Sequence, residues 1–149
     1  MKITKKWLEG KEACQEGMAF VEEKELIGLE GTEFVKKLMD YEQYEYANWL
    51  IVRIMDREQR VKYANFSADL AKKWAERAAD YTESAAYCAE RAADWAENAA
   101  YWTARAAYWA ENAAYWAENA AMAAYWAENA AMAAYKEILS YGLKLLEVS

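Results

Sequence analysis

The chain has no histidine and no proline, and only five glycines and two cysteines in 149 residues. Without histidine there is no imidazole base, no Cys-His pair and no ordinary zinc or di-iron ligand set. Without proline and with little glycine, little punctuates the chain, and helix is favoured over sheet. Cys14 and Cys88 share no CxxC spacing, so they read as two reduced thiols rather than a disulfide framework or a metal site. A glycine-rich phosphate loop is also missing. No apolar run approaches the roughly 20 residues of a membrane span, and the opening "MKITKKWLEGKE" has no apolar h-region, which points to a cytoplasmic protein.

Positive charge is scarce as well. Eighteen Lys and Arg against 25 Asp and Glu leave a formal charge of −7, and the face of basic residues that phosphate binding needs is absent. Nucleic acid and anionic membrane surfaces are therefore not expected partners. What is abundant is apolar mass: 56% of residues are hydrophobic, enough for a core, which excludes a disordered chain and predicts an all-α domain.

Organisation changes near residue 72. Residues 1–72 read as an N-terminal helical core, in which Thr4 caps a short helix carrying Trp7 and Leu8, and Gly28 and Gly31 punctuate a turn before a helix capped by Thr32. Trp49, Leu50, Ile51, Val52, Ile54 and Met55 form the most concentrated bulky apolar segment and predict a buried helix. Asp56 followed by Gln59 has the spacing of a capping box and starts a new helix at Arg57. Neither Gly nor Pro recurs before Gly142, and an unbroken helix from 57 to 141 would extend about 128 Å. A compact chain of this length has a radius of gyration near about 15 Å, so the helix must fold back or find a partner.

Residues 73–135 are repetitive. Six heptads run from Lys73 to Ala114, followed by two copies of "YWAENAAMAA" at 115–124 and 125–134. A seven-residue period is the signature of a coiled coil. On a wheel of about 100° per residue, the alanines of a heptad form one strip, Trp forms a ridge beside it, and Glu, Tyr and Asn take the wetter side. Small residues allow close helix approach, while the indoles close over the seam. Each Met-Ala-Ala insertion rotates the strip by about −60°. At the end of the chain, residues 136–149 carry Ile138, Leu139, Leu143, Leu145 and Leu146, which are expected to pack on the N-terminal core. If both ends of the repeat meet one core, the middle reverses as an antiparallel hairpin, with the bend expected around Asn98 to Thr103. The rival is an intermolecular antiparallel homodimer.

Chemistry-bearing groups are few. Glu76, Asp80 and Glu83 share a helix face, as do Glu90, Asp94 and Glu97, and read either as divalent-cation clusters or as a solvated face balanced by Lys73, Arg77 and Arg91. Tyr101, Tyr108 and Tyr115, with Trp102, Trp109 and Trp116, form ladders suited to packing, to stacking a planar ligand, or to anchoring a protein partner.

The stretches "MKITKKWLEGKEACQEG", "ANWLIVRIMDREQRVKYANFSADLA" and "LSYGLKLLE", with the Ala/Tyr-repetitive second half, resemble the immunity protein family of bacterial polymorphic toxin systems and phages. The resemblance covers residues 1–72 and extends to the Ala-rich remainder only in style. Many members carry a polar, Pro-containing segment before the Ala-rich tract, which this chain lacks. It implies a non-enzymatic protein that neutralises a toxin by binding it, and it brings no established functional residues; the residues themselves predict no catalytic group, metal or cofactor, and a toxin or host defence protein is the expected partner. The expected partner-binding residues are Glu97, Tyr108, Glu111, Tyr115 and Glu118. An acidic DNA mimic occupying a defence protein's phosphate channel is one alternative, and a self-assembling structural coiled coil is the other.

Overall fold

A computed structural model describes residues 1–77, 82–101, 106–125 and 128–148. Side chains are described for these apart from 74–77, 82–86, 89, 96, 99–101, 106, 107, 109, 121–125 and 128–131. The described residues form eight helices and no strand: α1 (Lys5–Gly10), α2 (Gln15–Glu23), α3 (Gly31–Asp40), α4 (Tyr44–Ile54), α5 (Arg57–Arg77), α6 (Thr82–Tyr101), α7 (Ala106–Tyr125) and α8 (Glu128–Glu147). They fall into two compact units, Met1–Ile54 and Met55–Ser149. The composition changes near residue 72, but the packing boundary lies at 54/55, so α5 belongs with the alanine-rich helices.

The first unit is built from short helices around bulky side chains. Ile3, Leu8, Val21, Leu26, Phe34, Val35, Leu38, Leu50, Ile51 and Val52 are all buried. Thr4 caps α1 as expected, its Oγ1 accepting from the Trp7 N–H at 3.2 Å. Cys14 does the same for α2, with its Sγ 3.3 Å from the Gly17 nitrogen. Thr32 is not a cap: α3 begins two residues earlier than that cap would place it, at Gly31, with Glu30 at the N-cap and no side-chain cap bond. A Thr32 cap would have served the N–H of Phe34, which instead donates to the Glu30 carbonyl at 2.8 Å, and the Gly31 N–H at the helix start donates to the Met1 carbonyl. Gly31 also has no room for a side chain, because a Cβ there would come within 2.9 Å of Ile54 Cδ1.

Three helices of this unit end in the same way. The Leu26 N–H reaches the Val21 carbonyl while Glu25 reaches Glu22; Gln43 and Glu42 repeat the pattern on Leu38 and Met39, and Ala13 and Glu12 on Leu8 and Glu9. These paired bonds are Schellman closures, which place one residue in the left-handed region. Here that residue is Glu12, Glu25 and Glu42, with φ of 60°, 55° and 58°, where glycine is the usual choice.

The second unit contains four helices, where the sequence predicts one reversal around Asn98 to Thr103. The Asp56 capping box forms in full: the Asp56 N–H donates to Gln59 Oε1, and the Gln59 N–H donates to Asp56 Oδ1, both at 2.9 Å. Gln59 Nε2 also donates to the Leu145 carbonyl at 2.8 Å, and one ring stack further along Phe66 lies on Tyr141 with centroids 4.1 Å apart. Moving forward on α5 is therefore moving backward on α8, and the two run antiparallel. Gly142 does not end α8; it is buried mid-helix beside Leu143. Tyr63 of α5 is buried, and both Glu111 of α7 and Tyr135 of α8 act on its phenol. On an unbroken helix those two residues would stand about 36 Å apart, so α7 and α8 double back on one another.

Packing centres on α5 and α7, which contact each other and both remaining helices. That position explains α7's composition. Ala110, Ala113, Ala114, Ala117 and Ala120 have no exposed area. On α6, which has fewer neighbours, Ala92 is buried but Ala93 is exposed. A buried methyl stabilises by only about 0.8 kcal/mol, so the gain here comes from number and from the close approach that small residues permit.

Candidate functional site

Among the described side chains of the second unit, the most exposed aromatic rings lie on α6 and α7. Tyr87 meets Trp116 edge-on with centroids 6.0 Å apart, and Trp95 meets Tyr108 edge-on at 5.5 Å. Eight residues forward on α6 are thus eight residues back on α7. The helices are antiparallel about a centre at 101/102, inside the stretch where the sequence places a bend, although Trp102 to Arg105 lie outside the described residues.

The rings divide by exposure. Trp95 and Trp116 are half-buried and close the seam, whereas Tyr87, Tyr108 and Tyr115 keep 55%, 48% and 44% of their area open. Edge-to-face geometry sets the quadrupole of one ring against the edge of the next, contributing about 0.5–1.5 kcal/mol per pair beyond burial. Tyr115 also lies edge-on to its neighbour Trp116 at 5.7 Å. The guanidinium of Arg91 sits 5.9 Å from the Trp116 centroid and 3.9 Å from Asp94 Oδ2.

The Asn of three described repeats has a local role. Asn98, Asn112 and Asn119 donate from Nδ2 to the carbonyls of Asp94, Tyr108 and Tyr115, at 2.8 to 2.9 Å. Each amide is turned onto its own helix four residues back, which at Asn112 and Asn119 is the carbonyl of an exposed tyrosine, Tyr108 or Tyr115.

Of the residues expected to bind a partner, Tyr108 and Tyr115 lie together on this ridge, and Glu97 is exposed on α6. Glu111 and Glu118 are only half exposed. Glu111 lies close enough to α5 to help raise the Tyr63 phenol, after burial and Tyr135. Glu118 likewise adds to the burial that pushes the Cys88 thiol up. The two glutamates therefore act on buried groups of neighbouring helices, while the tyrosines face solvent. Tyr87 and Trp95, which complete the ring cluster, were not singled out in the sequence. Pairing the heptads about a centre near 101 would have found them.

Glu76, Asp80 and Glu83, and the side chains of Tyr101, Trp102 and Trp109, lie outside the described residues. Glu90, Asp94 and Glu97 are all exposed, and among the described residues no group of three or more such side chains is arranged to hold a metal ion. Among the described residues, a concavity of about 480 Å³ lies on α5 and α8, lined by Phe66, Lys136, Glu137, Ser140, Tyr141 and Lys144. No helix among the described residues is long and apolar enough to cross a membrane. Comparison with protein-family models, with curated proteins and with solved structures finds no match.

Proposed function

We propose that the chain is a non-enzymatic binding protein of the immunity or antitoxin type, acting in the cytoplasm on a toxin or host defence protein through the α6–α7 ridge. The observation that carries this reading is the row of Tyr87, Tyr108 and Tyr115, roughly half exposed on two helices whose seam holds half-buried indoles and buried methyl groups. Tyrosine anchors a protein interface well because a large amphipathic ring with few rotatable bonds loses little entropy on contact. Rigid helices lower the ordering cost further. The finer packing assigned to the seam is that of an antiparallel, heptad-spaced coiled coil with alanine in the core positions. The resemblance of residues 1–72 to immunity proteins points the same way.

The acidic flank supports a second reading. Glu90, Asp94 and Glu97 on α6, with a formal charge of −7, suit an acidic DNA mimic that fills a phosphate channel. One experiment separates the two. A partner recovered with the full chain as bait is purified, and its affinity is measured by calorimetry for wild type and for Tyr108→Ala/Tyr115→Ala. Loss of about 2–4 kcal/mol of binding with unchanged helicity is expected for ring anchors. Undiminished affinity in the double variant sinks the proposal, and affinity that responds steeply to salt but not to the rings favours the mimic. Particle size that rises with concentration in the absence of partner favours the self-assembling coil, including the homodimer.

A further inference from the structure

A chain of formal charge −7 carries, on α5 and α8, a hollow lined mainly by the opposite charge. Its lining of Phe66, Lys136, Glu137, Ser140, Tyr141 and Lys144 lies wholly within the second unit, and its volume of about 480 Å³ is that of a small-molecule site. Lys136, Ser140 and Lys144 recur at every fourth residue and share one face of α8, with the hydroxyl midway between lysines about 12 Å apart along the axis. Long flexible stems let both ammonium groups converge on one anion held over Ser140. Lys136 is also engaged within the fold, whereas among the described residues Glu137, Ser140 and Lys144 enter no ion pair or side-chain hydrogen bond. The neighbouring Lys62, whose ammonium feels the Tyr141 phenol, is paired with Glu58 at 2.6 Å. Phe66 and Tyr141 supply an aromatic wall, half-buried and stacked with 10° between their planes. Rings that already hold one another need little further ordering when a planar ligand lies against them. The complement of this lining is a planar ring joined to a compact dianion. A phosphate monoester carries about −1.5 to −2 at neutral pH and offers three acceptor oxygens to two ammonium groups and a hydroxyl. Glu137 would accept from a hydroxyl or amino group of the same molecule, which a ribose or a purine provides. A nucleic-acid polymer is disfavoured, because its phosphates extend past the hollow onto an acidic protein.

We propose that the α5–α8 hollow binds a nucleoside monophosphate, its phosphate held by Lys144, Lys136 and Ser140 and its base against the Phe66–Tyr141 pair. The α6–α7 ridge and its partner do not enter into this site. The test is an amide NMR titration of the full chain with adenosine monophosphate, adenosine and ribose phosphate in turn. Adenosine monophosphate should shift the amides of α8 around Ser140 and bind at least about tenfold more tightly than adenosine, which lacks the charge. It should bind about fivefold or more tightly than ribose phosphate, which lacks the ring. Lys136→Gln/Lys144→Gln should weaken adenosine monophosphate about tenfold, while Lys36→Gln/Lys37→Gln, which removes the same charge from the first unit, should leave it unchanged. Tyr141→Leu should abolish the preference over ribose phosphate, and Tyr141→Phe, which keeps the ring, should retain it. Helicity of each variant is checked by circular dichroism, and the comparison of the three ligands on the wild-type chain stands without any variant. Equal affinity for adenosine and adenosine monophosphate, equal affinity for ribose phosphate and adenosine monophosphate, equal losses in the two lysine pairs, or no shifts around Ser140 at millimolar ligand would each overturn the assignment.

Discussion

Leu50 in α4 and Ala113 in α7 are both shut off from solvent, yet they stand for opposite ways of filling an interior. Around Leu50 the first unit uses branched and aromatic bulk on short helices joined by tight turns. Around Ala113 the second unit uses methyl groups on helices of about twenty residues and moves its aromatic mass to the edge. In the first unit an interior position is held by what fills it, in the second by what is kept out. The backbone follows suit: among the described residues, every positive φ lies in the first unit.

The contrast is broken most forcefully by exchanging the two styles. Leu50→Ala should leave a cavity and destabilise by about 2–5 kcal/mol in denaturant titration. Ala113→Leu should destabilise by about 1–3 kcal/mol for the opposite reason, because the three carbons added beyond Cβ have nowhere to go between packed helices. If Ala113→Leu is neutral or stabilising, the close-packed account of α7 is wrong.

A third test sharpens what the second unit's interior tolerates. Tyr63 is buried, chiefly burial raises its phenol well above the ordinary value, and Tyr135 and Glu111 add to the effect. Its neutral form is therefore held in the fold. The stabilisation is fully present below the unfolded phenol's pKa of about 10 and is lost as pH rises above it, by about 1.4 kcal/mol per pH unit for one group. Tyr63→Phe should flatten that alkaline decline in pH-dependent unfolding, and an unchanged slope would reassign the loss to other groups. The smallest effect concerns the first unit's turns. Glu25→Gly removes the strain of a side chain at φ 55° and should stabilise by up to about 1 kcal/mol, the flexible unfolded chain offsetting part of the relief. A lower melting temperature would show that the Glu25 side chain contributes more than its backbone strain costs.

Much of this architecture was legible in the residues. The absence of Pro and the heptads indicated helix, Asp56 and Gln59 marked a start that both side chains and backbones fulfil, and the alanine strip told which face of α7 would be covered. The breaks between α5 and α6 and between α7 and α8 were not legible, because neither carries the Gly or Pro that usually announces a stop. The first Met-Ala-Ala insertion, at 122–124, was the available hint for the second break, since it takes the strip out of phase just before α7 ends. Thr32 misled because a cap residue signals only that a donor needs a partner, and the Phe34 N–H it would have served bonds the Glu30 carbonyl within a helix that has already begun. Tyr108 and Tyr115 were recognisable as a ladder, but their companions on α6 depended on a register that composition alone does not encode.

That register has a consequence of its own. A slip of seven residues would bring Tyr87 opposite Trp109 and Trp95 opposite Tyr101, the same residue types in the same places. The repetitive arms are thus self-similar, like a rack that meshes with its mate at every tooth. The alignment that exists must be chosen elsewhere, by the unrepeated pairs Gln59 with Leu145 and Phe66 with Tyr141, which have no second place to go.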